Sequence, residues 1–264
     1  MRTLEIALLQ SPTVWHDPEA NRILFTNAIA ELQPEVKLVV LPEMFSTGFT
    51  MQTEVAESMD GATVAWMQAM AANSQKVICG SVVIRDRGAC FNRFIWAAPG
   101  AELIWYDKRH LFRMANEHQH YAAGGDQITV VLEGWRIRLA VCYDLRFPVW
   151  LRNQQRRDGH GDLDYDLLLV VANWPAPRQK AWNTLLQARA VENQAYVAGV
   201  NIVGVDGNDV AYTGGSAIYA PDGTTVCEQD DNPSVLLGAL DRRTLQDFRE
   251  RFPAWQDADP FTIS

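Results

Sequence analysis

The stretch Leu139-Ala140-Val141-Cys142-Tyr143-Asp144-Leu145-Arg146-Phe147-Pro148 reads as an apolar strand that stops on a thiol and turns into a helix start. Other strand-length runs lie around it: Leu4–Leu9, Leu38–Leu41, Val77–Ile84, Phe94–Ala98, Ile137–Cys142, Leu167–Val171, Tyr196–Val200 and Ser216–Tyr219. Most are nearly continuous in apolar residues, which suits strands covered on both faces. Helical patterns fall between some of them. Asp17 before Pro18 is an N-cap and first-turn signal, and Ile23, Leu24, Ala28 and Leu32 follow near helical spacing. Trp66, Met67 and Met70 mark a second helix, and Trp182, Leu185, Leu186, Arg189 and Asn193 a third. Phe91–Asp107 and Ile128–Cys142 read as hairpin-like strand pairs. This mixture predicts an α/β layered architecture with a mixed sheet, organised as a single domain over residues 1–264. Arg156 to Asp164 reads as a surface loop.

Composition narrows the function. The chain has 264 residues, with 23 Lys and Arg against 32 Asp and Glu, for a net charge of −9. That balance lacks the basic footprint of a nucleic-acid binder and disfavours a cationic membrane-surface protein. No apolar run approaches the roughly 20 residues that span a bilayer. The beginning, Met1-Arg2-Thr3-Leu4-Glu5-Ile6, lacks the apolar core of a secretion signal. A soluble, cytoplasmic protein is expected. Cys79, Cys90, Cys142 and Cys227 are too scattered for a disulfide framework or a zinc finger.

Three strand ends carry unusual residues, and in α/β sheets functional groups gather where strands end. In Val39-Val40-Leu41-Pro42-Glu43 an apolar strand runs into a carboxylate. In Trp105-Tyr106-Asp107-Lys108-Arg109-His110 charges sit between aromatic and apolar residues, and a lysine held there needs an anionic partner. At Cys142 the thiol meets the positive end of a following helix, which predicts thiolate character. The Tyr143 N–H then points toward any oxyanion formed there. Taken singly, Glu43 reads equally well as a solvated loop acid, Lys108 as a surface ion pair and Cys142 as a buried strand-end thiol. Together they supply a general base, a cation and a sulfur nucleophile.

These stretches identify a resemblance. Leu41-Pro42-Glu43, Tyr106-Asp107-Lys108-Arg109-His110-Leu111 and Val141-Cys142-Tyr143-Asp144-Leu145-Arg146-Phe147-Pro148 resemble the Glu-Lys-Cys motifs of the nitrilase superfamily of carbon–nitrogen hydrolases. Ala172-Asn173-Trp174-Pro175, Arg189-Ala190-Val191-Glu192-Asn193 and Gly214-Gly215-Ser216 support it, and the likeness covers essentially the whole chain. Within the superfamily the chain looks most like bacterial omega-amidases, or 2-oxoglutaramate amidases. Val149 departs from the pattern, since many members carry Glu after the proline.

The resemblance implies a four-layer α-β-β-α sandwich with two mixed sheets, assembled as a homodimer or a higher homo-oligomer. It implies a second glutamate after the lysine, matched by Glu117, that orients Lys108 or the substrate amide. It further implies a small-molecule amide substrate with an α-keto acid end, so a cation must meet a carboxylate. Arg113, Arg146 and Arg178 are the candidates, because guanidinium grips carboxylate with two prongs. Phe49 and Trp174 are candidates for an apolar wall limiting substrate length. No metal, organic cofactor, nucleic acid or membrane is called for. Other readings stay in view: a deaminated glutathione amidase, a carbamoyl-amide hydrolase, and a non-enzymatic binding protein on the same scaffold. A papain-like Cys–His pair is disfavoured because none of His16, His110, His118, His120 and His160 lies in a strand-end context that compels a thiol partner. Zinc held by Glu117, His118 and His120 is disfavoured by their cramped spacing.

Overall fold

The outward-then-inward alternation of the first strand already defines the layering. In β1 (Leu4–Gln10), Ile6 and Leu8 enter one apolar core while Ala7 and Leu9 enter another. In β2 (Leu38–Val40), Leu38 and Val40 enter the first and Val39 the second. A strand that buries both faces must lie inside a layered stack. The computed structural model describes residues 3–156 and 163–263. Most of the loop expected between Arg156 and Asp164, His160 included, therefore lies outside the described residues.

Further strands follow as β3 (Val77–Asp86), β4 (Ala89–Ala97), β5 (Ile104–Asp107), β6 (Thr129–Leu132), β7 (Trp135–Val141), β8 (Leu167–Val171) and β9 (Tyr196–Val200). The short pair β10 (Val203–Val205) and β11 (Ala211–Thr213) stands apart. The chain closes with β12 (Ala217–Tyr219), β13 (Thr225–Glu228) and β14 (Ser234–Leu240). One six-stranded sheet has the order β14-β1-β2-β3-β4-β5 and the other β13-β12-β9-β8-β7-β6. In each, three parallel strands are flanked by antiparallel ones, so both sheets are mixed, as expected.

Helices α1 (Pro18–Ala30) and α2 (Ala62–Ser74) cover the outer face of the first sheet through Phe25, Ile29, Val64, Met67 and Ala71. As the sequence predicts, Asp17 caps α1 by accepting the Ala20 N–H. Two one-turn helices come next, α3 (Glu117–His120) and α4 (Pro148–Leu151). Helix α5 (Gln179–Asn193) covers the second sheet with Trp182, Leu186 and Ala190. Its approach to β9 depends on Gly199, where a Cβ would lie 2.7 Å from Leu186 and 2.9 Å from Trp182. Helix α6 (Arg242–Arg251) follows β14. The four expected layers are therefore present.

β14 and α6 are elements the sequence reading passes over. β14 alternates buried and exposed residues and holds Gly238, so it lacks a continuous apolar run. Its partner β1 is more than 220 residues away in the chain. Among the described residues no helix is long and apolar enough to cross a membrane.

Candidate active site

The carboxyl ends of β2, β5, β7 and β8 face one another across the seam between the sheets, and each delivers a polar group. Glu43 follows β2, Lys108 follows β5, Cys142 follows β7 and Asn173 follows β8. All four are buried, Glu43 completely, which excludes the solvated-acid reading. Lys108 Nζ donates to Glu43 Oε1 at 2.8 Å and to Glu117 at 2.9 and 3.0 Å. Asn92, on β4, donates through Nδ2 to Glu43 Oε1 at 2.7 Å and to Glu117 Oε1 at 3.2 Å. Ser81 Oγ holds Asn92 by donating to its Oδ1 at 2.7 Å, and Ser81 Oγ accepts the Met44 N–H at 2.8 Å. Phe112 N–H donates to Glu117 Oε2. The second glutamate expected from the resemblance therefore sits against the lysine, as the first does.

Cys142 closes this cluster. Its thiol donates to the Asn173 carbonyl oxygen at 3.9 Å, within reach of the charges of Glu43 and Lys108. Its φ of +45° is a left-handed conformation that non-glycine residues adopt at a cost, and it sets the thiol on a sharp elbow after β7. Asp144 holds that elbow. Its Oδ2 accepts the Val141 N–H at 3.0 Å and the Tyr106 hydroxyl at 2.7 Å. Its Oδ1 accepts the His110 N–H at 2.9 Å and lies 2.8 Å from His110 Nδ1. The His110 ring stacks on Phe147 with centroids 3.7 Å apart. No histidine among the described residues is hydrogen-bonded to the thiol. Nor do three His, Cys, Asp or Glu side chains among those residues form a cluster able to hold a metal ion.

The charges follow from burial and pairing. Burial opposes the Lys108 ammonium, yet Glu117 and then Glu43 outweigh it and hold the lysine above its ordinary pKa. Burial raises the Glu117 pKa, Lys108 pulls it back and Glu43 pushes it up again. Burial, then the negative charge of Glu43, drive the Cys142 thiol well above free cysteine. The expectation of thiolate character at a helix start is thus corrected. Cys142 opens a five-residue 3-10 turn rather than a long helix, so no sizeable dipole offsets the desolvation. Burial beside Glu43 thus favours the neutral form of the Cys142 thiol.

A small, narrow cleft opens onto Cys142 and Lys108. Phe49, Phe112, Tyr143, Arg146, Asn173, Trp174, Pro175 and Arg178 complete its lining. Phe49 and Trp174, the candidates for an apolar wall, both line this cleft, with Lys108 Nζ 5.3 Å from the Phe49 ring centroid. Of the three candidate arginines, Arg146 and Arg178 line the cleft. Arg113 is exposed and outside the lining. Arg146 lies 4.8 Å over the Trp174 ring, in the turn that begins with Cys142. Arg178 packs over Phe112 at the outer edge. Val149, where the resemblance breaks, is exposed and away from the cleft.

Sequence reasoning singled out the charged groups but missed Ser81, Asn92 and Asn201. Each is a fully buried polar residue within or just after an apolar strand, and that interruption is the one signal that marks them. Asn201 accepts the Trp174 N–H at 2.7 Å and donates to the Trp174 and Gly214 carbonyls, fixing the wall that follows Asn173.

Comparison with known proteins gives the family of the chain. The carbon–nitrogen hydrolase family matches residues 5–250. The omega-amidase YafV of Escherichia coli K12 is 46% identical over 264 residues, covering 100% of both chains. The 2-oxoglutaramate amidase of Bacillus subtilis 168 is 29% identical and covers 96% of each. A CN-hydrolase superfamily protein of Xanthomonas campestris, solved with an arsenic adduct in its active site, superposes with a TM-score of 0.98 at 46% identity over 100% of both chains.

Proposed function

This chain belongs to the carbon–nitrogen hydrolase family, and from that premise we propose that it is an omega-amidase acting through Cys142, Glu43, Lys108 and Glu117. Its substrates are short α-keto acid amides, 2-oxoglutaramate and 2-oxosuccinamate, which it converts to the dicarboxylate and ammonia. The observation that carries the chemistry is the burial of one thiol, one ammonium and two carboxylates close together. Full-length similarity to the E. coli omega-amidase supports the substrate class.

Each step uses a group in place. Glu43 takes the thiol proton as Cys142 attacks the amide carbon, so thiolate forms only as it reacts. The oxyanion is met by the Lys108 ammonium and the Tyr143 N–H. Donors so placed in a water-poor site contribute about 3–4 kcal/mol each to the transition state. Glu43 passes its proton to the departing nitrogen, ammonia leaves, and the acyl group remains as a thioester on Cys142. Water deprotonated by Glu43 then releases the acid. Glu117 touches Lys108 with both oxygens and keeps it charged and aimed.

Arg146 is the residue we assign to the substrate carboxylate. It lines the cleft one turn from Cys142, and no carboxylate among the described residues forms an ion pair with it. Arg178, nearer the mouth, gives secondary attraction. The four unpaired cysteines suit a reducing cytoplasm. One apolar core shared by both sheets suits a single domain over residues 1–264, and the assembly proposed is a homodimer or a higher homo-oligomer.

The testing experiment is a substrate panel with ammonia detection: 2-oxoglutaramate, deaminated glutathione, an N-carbamoyl compound and a simple nitrile. 2-Oxoglutaramate ranks first. In Arg146→Met its kcat/KM falls about 10²-fold, while an uncharged short amide is hydrolysed as before. A panel headed by deaminated glutathione or the carbamoyl compound would replace the substrate assignment.

A further inference from the structure

The lining of the cleft leaves a single buried side-chain polar atom without a hydrogen-bond partner among the described residues, Asn173 Oδ1. Its orientation is not free. The Asn173 backbone N–H donates to Glu43 Oε2 at 2.8 Å, and Nδ2 donates to the Glu43 carbonyl at 2.9 Å. Turning the amide over would set oxygen against oxygen at that carbonyl, so Oδ1 must be the atom left over. Asn173 is 3% exposed, and its neighbour Trp174 is pinned by Asn201 on both its N–H and its carbonyl. The side chain therefore has no local route to a partner, and buried acceptors in folded proteins are nearly always paired.

The surroundings indicate what the partner is. Around Cys142 the donors and acceptors are segregated. Lys108 and the Tyr143 N–H offer protons to a carbonyl oxygen, whereas the Asn173 carbonyl and Asn173 Oδ1 can only accept. A carboxamide has the matching polarity, with its oxygen as an acceptor and its nitrogen carrying two N–H donors. We infer that Asn173 Oδ1 accepts an N–H from the nitrogen of the substrate carboxamide and makes the site selective for a nitrogen leaving group over oxygen. This rests on the amidase reading above. Asn173 bonds the nitrogen throughout, while the proton that frees ammonia still travels from Cys142 through Glu43. An ester of the same acid brings no N–H and leaves Oδ1 unpaired, a loss that sites built for an N–H register strongly.

The test compares 2-oxoglutaramate with the 5-methyl ester of 2-oxoglutarate in the wild type, Asn173→Ala and Asn173→Ser. Both substrates need Cys142, Glu43 and Lys108, so a disturbed Glu43 slows both alike. Asn173→Ser keeps a donor for the Glu43 carbonyl but draws the oxygen back, and serves if Asn173→Ala does not fold. The expected result is a fall in kcat/KM for the amide at least about tenfold greater than for the ester. An equal fall for both, or no fall for the amide, overturns the inference and leaves Asn173 as a support of Glu43. A wild type that releases no ammonia from the amide is a distinct result. It overturns the amidase reading and, with it, this one.

Discussion

Cys142→Ala is expected to lose ammonia release from 2-oxoglutaramate by at least about 10⁴-fold, the scale of removing a covalent nucleophile, while retaining the melting temperature of the parent. The thiol makes one long contact to a carbonyl at 3.9 Å. The left-handed backbone at residue 142 is held by Asp144 and not by the thiol. Little packing is lost, so stability and activity separate. No other nucleophile among the described residues touches Glu43 or Lys108, so nothing stands in for the sulfur. A variant with a rate within tenfold of the parent would assign the chemistry elsewhere.

Lys108→Met is expected to be as inactive and, unlike Cys142→Ala, unstable. The Lys108 side chain and both carboxylates it joins are fully buried. Removing one partner of a buried ion pair costs about 3–5 kcal/mol, because the remaining charge stays out of water. Here two charges remain, with Asn92 as their shared donor at 2.7 and 3.2 Å. Burial and the charge of Glu43 then lift the Glu117 carboxyl further above the ordinary glutamate value of about 4.3, with Lys108 no longer pulling it back. A group whose folded pKa is raised contributes stability below its unfolded pKa and loses it as pH climbs through the folded one. The deficit of Lys108→Met relative to the parent is therefore smallest near pH 4 and widens toward neutrality. Urea unfolding of both proteins across that range measures it. A deficit that stays level with pH would mean the carboxylates were not left charged.

The parts of this site legible in the sequence are those where chemistry interrupts an apolar run at its end. Glu43, Lys108 and Cys142 each follow such a run, and the runs also give the strands that carry them. The sign of the Cys142 shift was not legible. It depends first on burial and then on Glu43, 99 residues earlier, which only the fold brings beside the thiol. The arginines were not separable either, because Arg113, Arg146 and Arg178 carry the same group. Only the fold distinguishes a cleft-lining guanidinium from an exposed one. Asn92 and Asn173 were invisible as a pair of opposites. One is satisfied on both its oxygen and its amino group, the other holds an idle oxygen, and sequence gives both simply as asparagine.

Rapid acid quench of the enzyme with 2-oxoglutaramate, followed by mass spectrometry of the peptide spanning Cys142, tests most directly that an acid, an ammonium and a thiol cooperate in covalent hydrolysis. The expected result is an acyl group on Cys142, formed together with one equivalent of ammonia and absent in Glu43→Gln. Ammonia released in full turnover with Cys142 never modified, or with the acyl group on another residue, would contradict it.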